Sequence, residues 1–206
     1  MRSVLLALLA IGLAVSTASA ADPASFFDGK SLAGWEGLPQ HWKVVDGAIV
    51  GSTMPDGISF NTFLCSTRKY KDFEMTFQVR LKGAGANSGV QIRSEVIDKE
   101  KFVVKGPQAD MGAMYWGSLY GEKLPGGMMK ASPPDKVRAL LKPDDFNDYS
   151  IKCVGKHVTI KLNGETMVDG DFPQMTDEGI IAFQLHATRP RGMEATFRKI
   201  EFKEIK

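Results

Sequence analysis

The sequence is short of most residues that announce a reactive centre. Two cysteines, Cys65 and Cys153, and three histidines occur in 206 residues. The cysteines stand far apart, in neither a metal-ligand nor a redox spacing. Each sits in a strand-like apolar pattern, so one bridge in an oxidising compartment and two buried free thiols are both open. An excess of charge is also lacking: 26 Lys and Arg against 24 Asp and Glu leave a net charge of +2. The basic residues are scattered singly, which excludes the electrostatic footprint of a nucleic-acid or anionic-membrane binder. Repeats, low-complexity tracts, zinc-ligand spacings and a nucleophile elbow are absent. Gly83-Ala84-Gly85-Ala86 lacks the strand-to-helix context of a dinucleotide loop.

What is present begins with Arg2, an apolar run from Val4 to Val15 and the small residues Ser16-Thr17-Ala18-Ser19-Ala20. That layout predicts a secretory signal peptide over 1–20, because the run is shorter than the roughly 18 residues a membrane span needs. No cysteine follows where a lipid anchor would attach. The expectation is an exported protein, periplasmic or extracellular, with no membrane partner after cleavage. Residues 21–206 are then long enough for one β-sandwich domain.

The rest of the chain reads as short strands with turn chemistry between them. Asp46-Gly47 and Asn163-Gly164 are hairpin dipeptides that tolerate positive φ. From Phe73 to Lys82 apolar and polar residues alternate strictly, which marks a half-buried strand. Further strands are expected around Val90–Arg93, Tyr149–Cys153, His157–Leu162, Ile180–His186 and Phe197–Ile205. The fold class is all-β, a two-sheet sandwich or jelly roll. Tyr120 to Asp145, rich in Pro and Gly, reads as a long surface loop bordering a cleft.

Strand parity selects the candidate site. Ile181, Phe183 and Leu185 form an apolar face, which leaves Gln184 and His186 together on the other. Gln108 and Asp110 are likewise two apart, and Arg93 points away from Val90 and Ile92. These residues are expected to share one polar cleft. Tyr115 and Trp116 are candidates for stacking on a sugar ring. His41 and His157 have no polar companion at strand spacing and read as structural or surface.

Several phrases occur together in a recognisable order. They are Phe26-Phe27-Asp28-Gly29-Lys30, Gly34-Trp35, Trp42 to Gly47, Tyr70 to Glu74, Asn87-Ser88-Gly89-Val90, Phe146-Asn147, Leu162-Asn163-Gly164, Gly179 to His186 and Phe197 to Ile200. The chain in this respect resembles the 3-keto-disaccharide hydrolase family, across nearly all of its length after residue 20. The resemblance implies a jelly roll of the concanavalin A-like lectin/glucanase type, a carbohydrate substrate, and cleavage of glycosides oxidised at C3. It places Asn147 among the substrate-binding residues. Where many members carry Gly-x-Glu-x-Gln, this chain has Gly106-Pro107-Gln108-Ala109-Asp110, with acid and amide exchanged.

The implied chemistry asks little of the protein. A ketone at C3 acidifies the hydrogen on C2, so a base can remove that proton and the enolate can expel the C1 oxygen. Water can then add back. The needs are a base near neutral pKa, donors for the enolate oxygen and an acid for the leaving group. His186 is the natural base; Arg93 and Gln184 can stabilise the oxyanion. Asp110 can orient His186, act as the acid or ligate a divalent metal, the one cofactor in view. The alternatives are a non-catalytic carbohydrate-binding domain and a two-carboxylate glycosidase. The last ranks lowest because no acid pair shares a strand face in the cleft segments.

Overall fold

The computed structural model describes residues 26–206, so the segment read as a signal peptide lies outside the described residues. Its strands in chain order are β1 (Trp35–Glu36), β2 (Trp42–Val45), β3 (Ala48–Ser52), β4 (Thr62–Tyr70), β5 (Phe73–Lys82), β6 (Asn87–Asp98) and β7 (Val103–Gly112), followed by β8 (Leu119–Glu122), β9 (Met128–Lys130), β10 (Asn147–Val154), β11 (His157–Leu162), β12 (Glu165–Asp171), β13 (Gly179–Leu185) and β14 (Glu194–Glu204). One short helix, α1 (Pro134–Leu140), sits between β9 and β10. The strands form two antiparallel sheets of seven. One, the cleft sheet, is ordered β1-β4-β13-β6-β7-β8-β9; the other, the back sheet, is ordered β12-β11-β10-β5-β14-β3-β2. The fold is the expected all-β jelly roll.

Alternation explains how the two sheets close on each other. On β5 the residues Phe73, Met75, Phe77, Val79 and Leu81 are buried while their neighbours face outward. From the cleft sheet Ile181, Phe183 and Leu185 enter the same core, and the rings of Phe183 and Phe197 meet across it at 4.6 Å. Burying each such side chain contributes on the order of 1.5 to 3 kcal/mol. Cys153 belongs to this core and Cys65 to a smaller cluster on the outer face of the cleft sheet. Both are free, and burial pushes their thiols up to about 11 and about 12 respectively.

The segment expected to be one long loop carries structure of its own. Residues 120–145 include the end of β8, all of β9 and α1. Pro and Gly at the turns conceal strands of three and four residues, too short to show a period.

Arg93 is where simple alternation fails. Between the pairs Gln91↔Gln108 and Glu95↔Lys105, β6 advances one residue more than β7, and Arg93 adopts a φ of 46°. A bulge of this kind turns the following side chains to the opposite face. The Arg93 guanidinium therefore leaves the cleft side. It donates to Asp72 at 2.8 Å and to the carbonyls of Lys71, Gly155 and Thr176, with its own side chain 0% exposed. It is a strut between the sheets, which corrects its placement in the cleft. Beyond the bulge the β6–β7 hairpin folds over the outer face of the cleft sheet. Thr62 Oγ1 donates to the Lys101 carbonyl at 2.7 Å, and Phe102 and Val96 pack on Phe63, Cys65 and Ala182.

Removing one partner of a buried ion pair strands the other. Because Asp72 keeps some access to water, Arg93→Ala is expected to cost about 3 kcal/mol, at the low end for a fully buried pair. Denaturant unfolding reads this directly. Activity per folded molecule should be kept, and its loss at unchanged stability would return Arg93 to the site.

Candidate active site

Four of the residues expected to converge do so. Gln108 and Asp110 from β7, Gln184 from β13 and His186 just after it line one cleft of about 420 Å³ on the outer face of the cleft sheet, together with Tyr115. On β7 the alternate residues Ala109 and Met111 enter the core, so the exchange of acid and amide in this strand keeps both groups on the cleft side. From the back sheet, the Tyr149 hydroxyl crosses the core and donates to the Asp110 carbonyl at 3.0 Å.

The amides form a chain across three strands. The Gln91 and Gln108 side chains are hydrogen-bonded at 2.8 Å, and Gln108 Nε2 lies 3.3 Å from Gln184 Oε1 and 3.5 Å from Asp110 Oδ1. Gln108 reaches β13 by lying flat over Gly89, where an added Cβ would come within 2.5 Å of its amide carbon. Glycine at 89 is thus what lets the chain of amides cross β6.

Asp110 is 6% exposed, and that burial pushes its carboxyl up to about 7. The Met111 N–H, which donates to Oδ1 at 2.8 Å, and the Gln108 amide pull the other way; Glu122 adds a further upward push. A carboxyl titrating near neutrality in a cleft can give or take a proton at physiological pH. His186 is half-buried, and its Nδ1 lies 2.9 Å from the Ala187 carbonyl. In the neutral ring Nδ1 then carries the proton and donates it, which leaves Nε2 as the basic atom. The Ala187 N–H donates to Asn61 Oδ1 at 2.9 Å, fixing the backbone that presents the ring. Asp110 is therefore not the group that orients His186.

Two candidate binding residues lie elsewhere. Trp116 is buried in the core and, with Asn147, lines a neighbouring pocket. The Asn147 amide is consumed by structure: Oδ1 accepts from the N–H of Lys142 at 2.9 Å, while Nδ2 donates to the carbonyls of Lys142 and Asp145.

The structure adds Asn61, Asn87, Tyr120, Glu122 and Met128 to the cleft. Tyr120 and Glu122 are two apart on β8, but both fall within the segment read as a loop. Glu122 also places a second carboxylate in the cleft with Asp110; the two stand on different strands, β7 and β8, so they are not a pair sharing one strand face. Among the described residues no group of three His, Cys, Asp or Glu side chains is placed to hold a metal ion. The donor set of the cleft does not fit a metal centre. His157 does have polar companions, Asp169 at 2.9 Å and Asp171 at 2.8 Å, but on an exposed surface remote from the cleft.

The family model described as "3-keto-alpha-glucoside-1,2-lyase-like domain" matches residues 22–203. Among solved structures the chain is similar to a protein from Parabacteroides distasonis ATCC 8503 provisionally named a glycosyl hydrolase. That likeness has 19% identity and a TM-score of 0.63 over 85% of this chain and 96% of that one. A second protein from the same organism with the same provisional name gives 19% identity and a TM-score of 0.61, covering 87% and 92%. The carbohydrate-binding module CBM66 from Bacillus subtilis is similar at 15% identity and a TM-score of 0.60, covering 83% and 96%. At these identities the three structures show the fold. Among curated proteins none matches.

Proposed function

Because the chain belongs to the family of 3-keto-alpha-glucoside-1,2-lyase-like domains, a carbohydrate-related family, we propose that it is an exported enzyme cleaving glycosides oxidised at C3, with His186 as base and Asp110 as acid. The observation that carries the reading is the convergence in one cleft of a carboxyl titrating near 7 and a histidine whose Nε2 has no hydrogen-bond partner among the described residues. Such a pair suits an elimination and needs no strong nucleophile.

In this mechanism His186 Nε2 takes the C2 proton, and the C–H electrons become the C2=C3 bond of an enolate with its charge on the C3 oxygen. The Gln184 NH2 group, which donates to no described residue, is the donor available to that oxygen. As the enolate collapses, C1=C2 forms, the C1–O bond breaks, and the leaving oxygen takes the proton from Asp110. The product is a 1,2-unsaturated 3-keto sugar plus the free leaving group. Adding water completes a net hydrolysis: the Asp110 carboxylate takes one proton of the water as its hydroxyl adds to C1, and His186 returns its proton to C2, so both groups regain their starting state.

A second reading draws on Asp110 and Glu122 lining the same cleft, since paired carboxylates also cleave unoxidised glycosides. Both are tested by measuring product release from a 3-keto glucoside and from its unoxidised parent. Turnover confined to the keto compound is expected. Turnover of the parent would favour the carboxylate pair, and binding of either without turnover would leave only a carbohydrate-binding role.

A further inference from the structure

Next to the catalytic cleft lies a second pocket of about 310 Å³, and the two share Asn87. The ridge between them is Asn87 together with the turn Ala113–Tyr115. Ala113 belongs to the second pocket and Tyr115 to the catalytic cleft. The Asn87 side chain on this ridge is unusually placed. Its Oδ1 is buried and has no hydrogen-bond partner among the described residues. Its amide lies against the backbone of Gly112, where an added Cβ would come within 2.3 Å of Nδ2. A buried amide oxygen left unpaired carries a desolvation cost, which a donor from a bound molecule would remove.

The chemistry of the second pocket differs from that of the cleft. Leu81, Ala86, Trp116, Leu141 and Pro143 give it apolar walls, with Lys142, Asp144 and Asp145 among its lining. Its wall is firm, because Asn147 bonds the Lys142–Asp145 turn at three points and Asn163 Nδ2 donates to Asn147 Oδ1 at 2.9 Å. We propose that this pocket receives the leaving group of the substrate, that the group it fits is an apolar ring, and that Asn87 Oδ1 accepts a hydrogen bond from a sugar hydroxyl where the substrate crosses the ridge. The proposal rests on the glycoside-cleaving reading above. It makes the second pocket a specificity site and Asn87 a binding residue.

The test compares the 3-keto derivatives of methyl and cyclohexylmethyl glucoside, whose leaving alcohols are of similar acidity. The wild type is expected to favour the ring-bearing substrate by about tenfold or more in kcat/KM, from the apolar surface buried. Leu141→Ser should remove most of that preference, while Asn87→Ala should raise KM for both substrates. Gly112→Ala, which displaces the amide without deleting it, should act like Asn87→Ala. Equal kcat/KM for the two substrates in the wild type, or a preference that survives Leu141→Ser, overturns the pocket. An unchanged KM in Asn87→Ala overturns the role of the amide. Binding of the two unoxidised glucosides by calorimetry separates this proposal from the catalytic one. Tighter binding of the ring-bearing glucoside without turnover of either keto compound would sink the catalytic reading and keep the pocket; binding of neither glucoside together with no turnover of either keto compound would sink both.

Discussion

His186→Ala is expected to leave a folded protein whose turnover of a 3-keto glycoside falls by about a hundredfold to ten-thousandfold, the usual contribution of a positioned base. The side chain is half-buried at the cleft, and its ring hydrogen-bonds a backbone carbonyl, so its removal opens no core cavity. The neighbour Leu185 is the control. It is fully buried in the core between the sheets, and Leu185→Ala should cost on the order of 2 to 5 kcal/mol of stability. Initial rates and thermal melting of the two variants separate chemistry from packing. Near-normal turnover by folded His186→Ala protein would pass the role of base to another group.

That contrast between residues 185 and 186 was legible in the sequence because β13 alternates without interruption through its last residues. The same holds for Gln108 and Asp110 on β7. Parity is a local property, and it places a side chain wherever the strand is regular. It fails at Arg93 because a one-residue bulge is not written in composition: Val90, Gln91, Ile92 and Arg93 alternate on paper, and only the register against β7 reveals the extra residue. Glu122, Tyr120 and Asn61 were hidden for a different reason. They reach the cleft through pairing of β8 with β7 and of β4 with β13, contacts between distant segments that no short window contains. The pKa of Asp110 was equally out of reach, since it follows from burial.

Asp110→Asn should separate function from stability most sharply. In the folded protein burial holds the Asp110 carboxyl at about 7, against an ordinary value of 3.8. Below the lower value both folded and unfolded chains carry the proton, and the residue is neutral toward stability. Between the two values the unfolded chain has released a proton that the folded chain still holds, so stability falls as pH rises, and it levels off above about 7. A gap of this size corresponds to roughly 4 kcal/mol at full ionisation, and water entering the cleft reduces what is realised. Asparagine has no charge to desolvate, and its side-chain oxygen can still accept the Met111 N–H. Asp110→Asn is therefore expected to match the wild type near pH 4 and to exceed it by on the order of 1 to 4 kcal/mol near pH 8. The same substitution removes the acid for the leaving group, so turnover should drop by about a hundredfold or more. In the wild type, kcat/KM should decline above about pH 7 as the carboxyl loses its proton. Melting temperatures and initial rates measured from about pH 4 to about pH 9 test both halves. A variant no more stable than the wild type at high pH would mean that the carboxylate is well solvated in the folded protein. A variant that is stabilised yet fully active would remove Asp110 as the acid and leave Glu122 as the carboxyl to examine in its place.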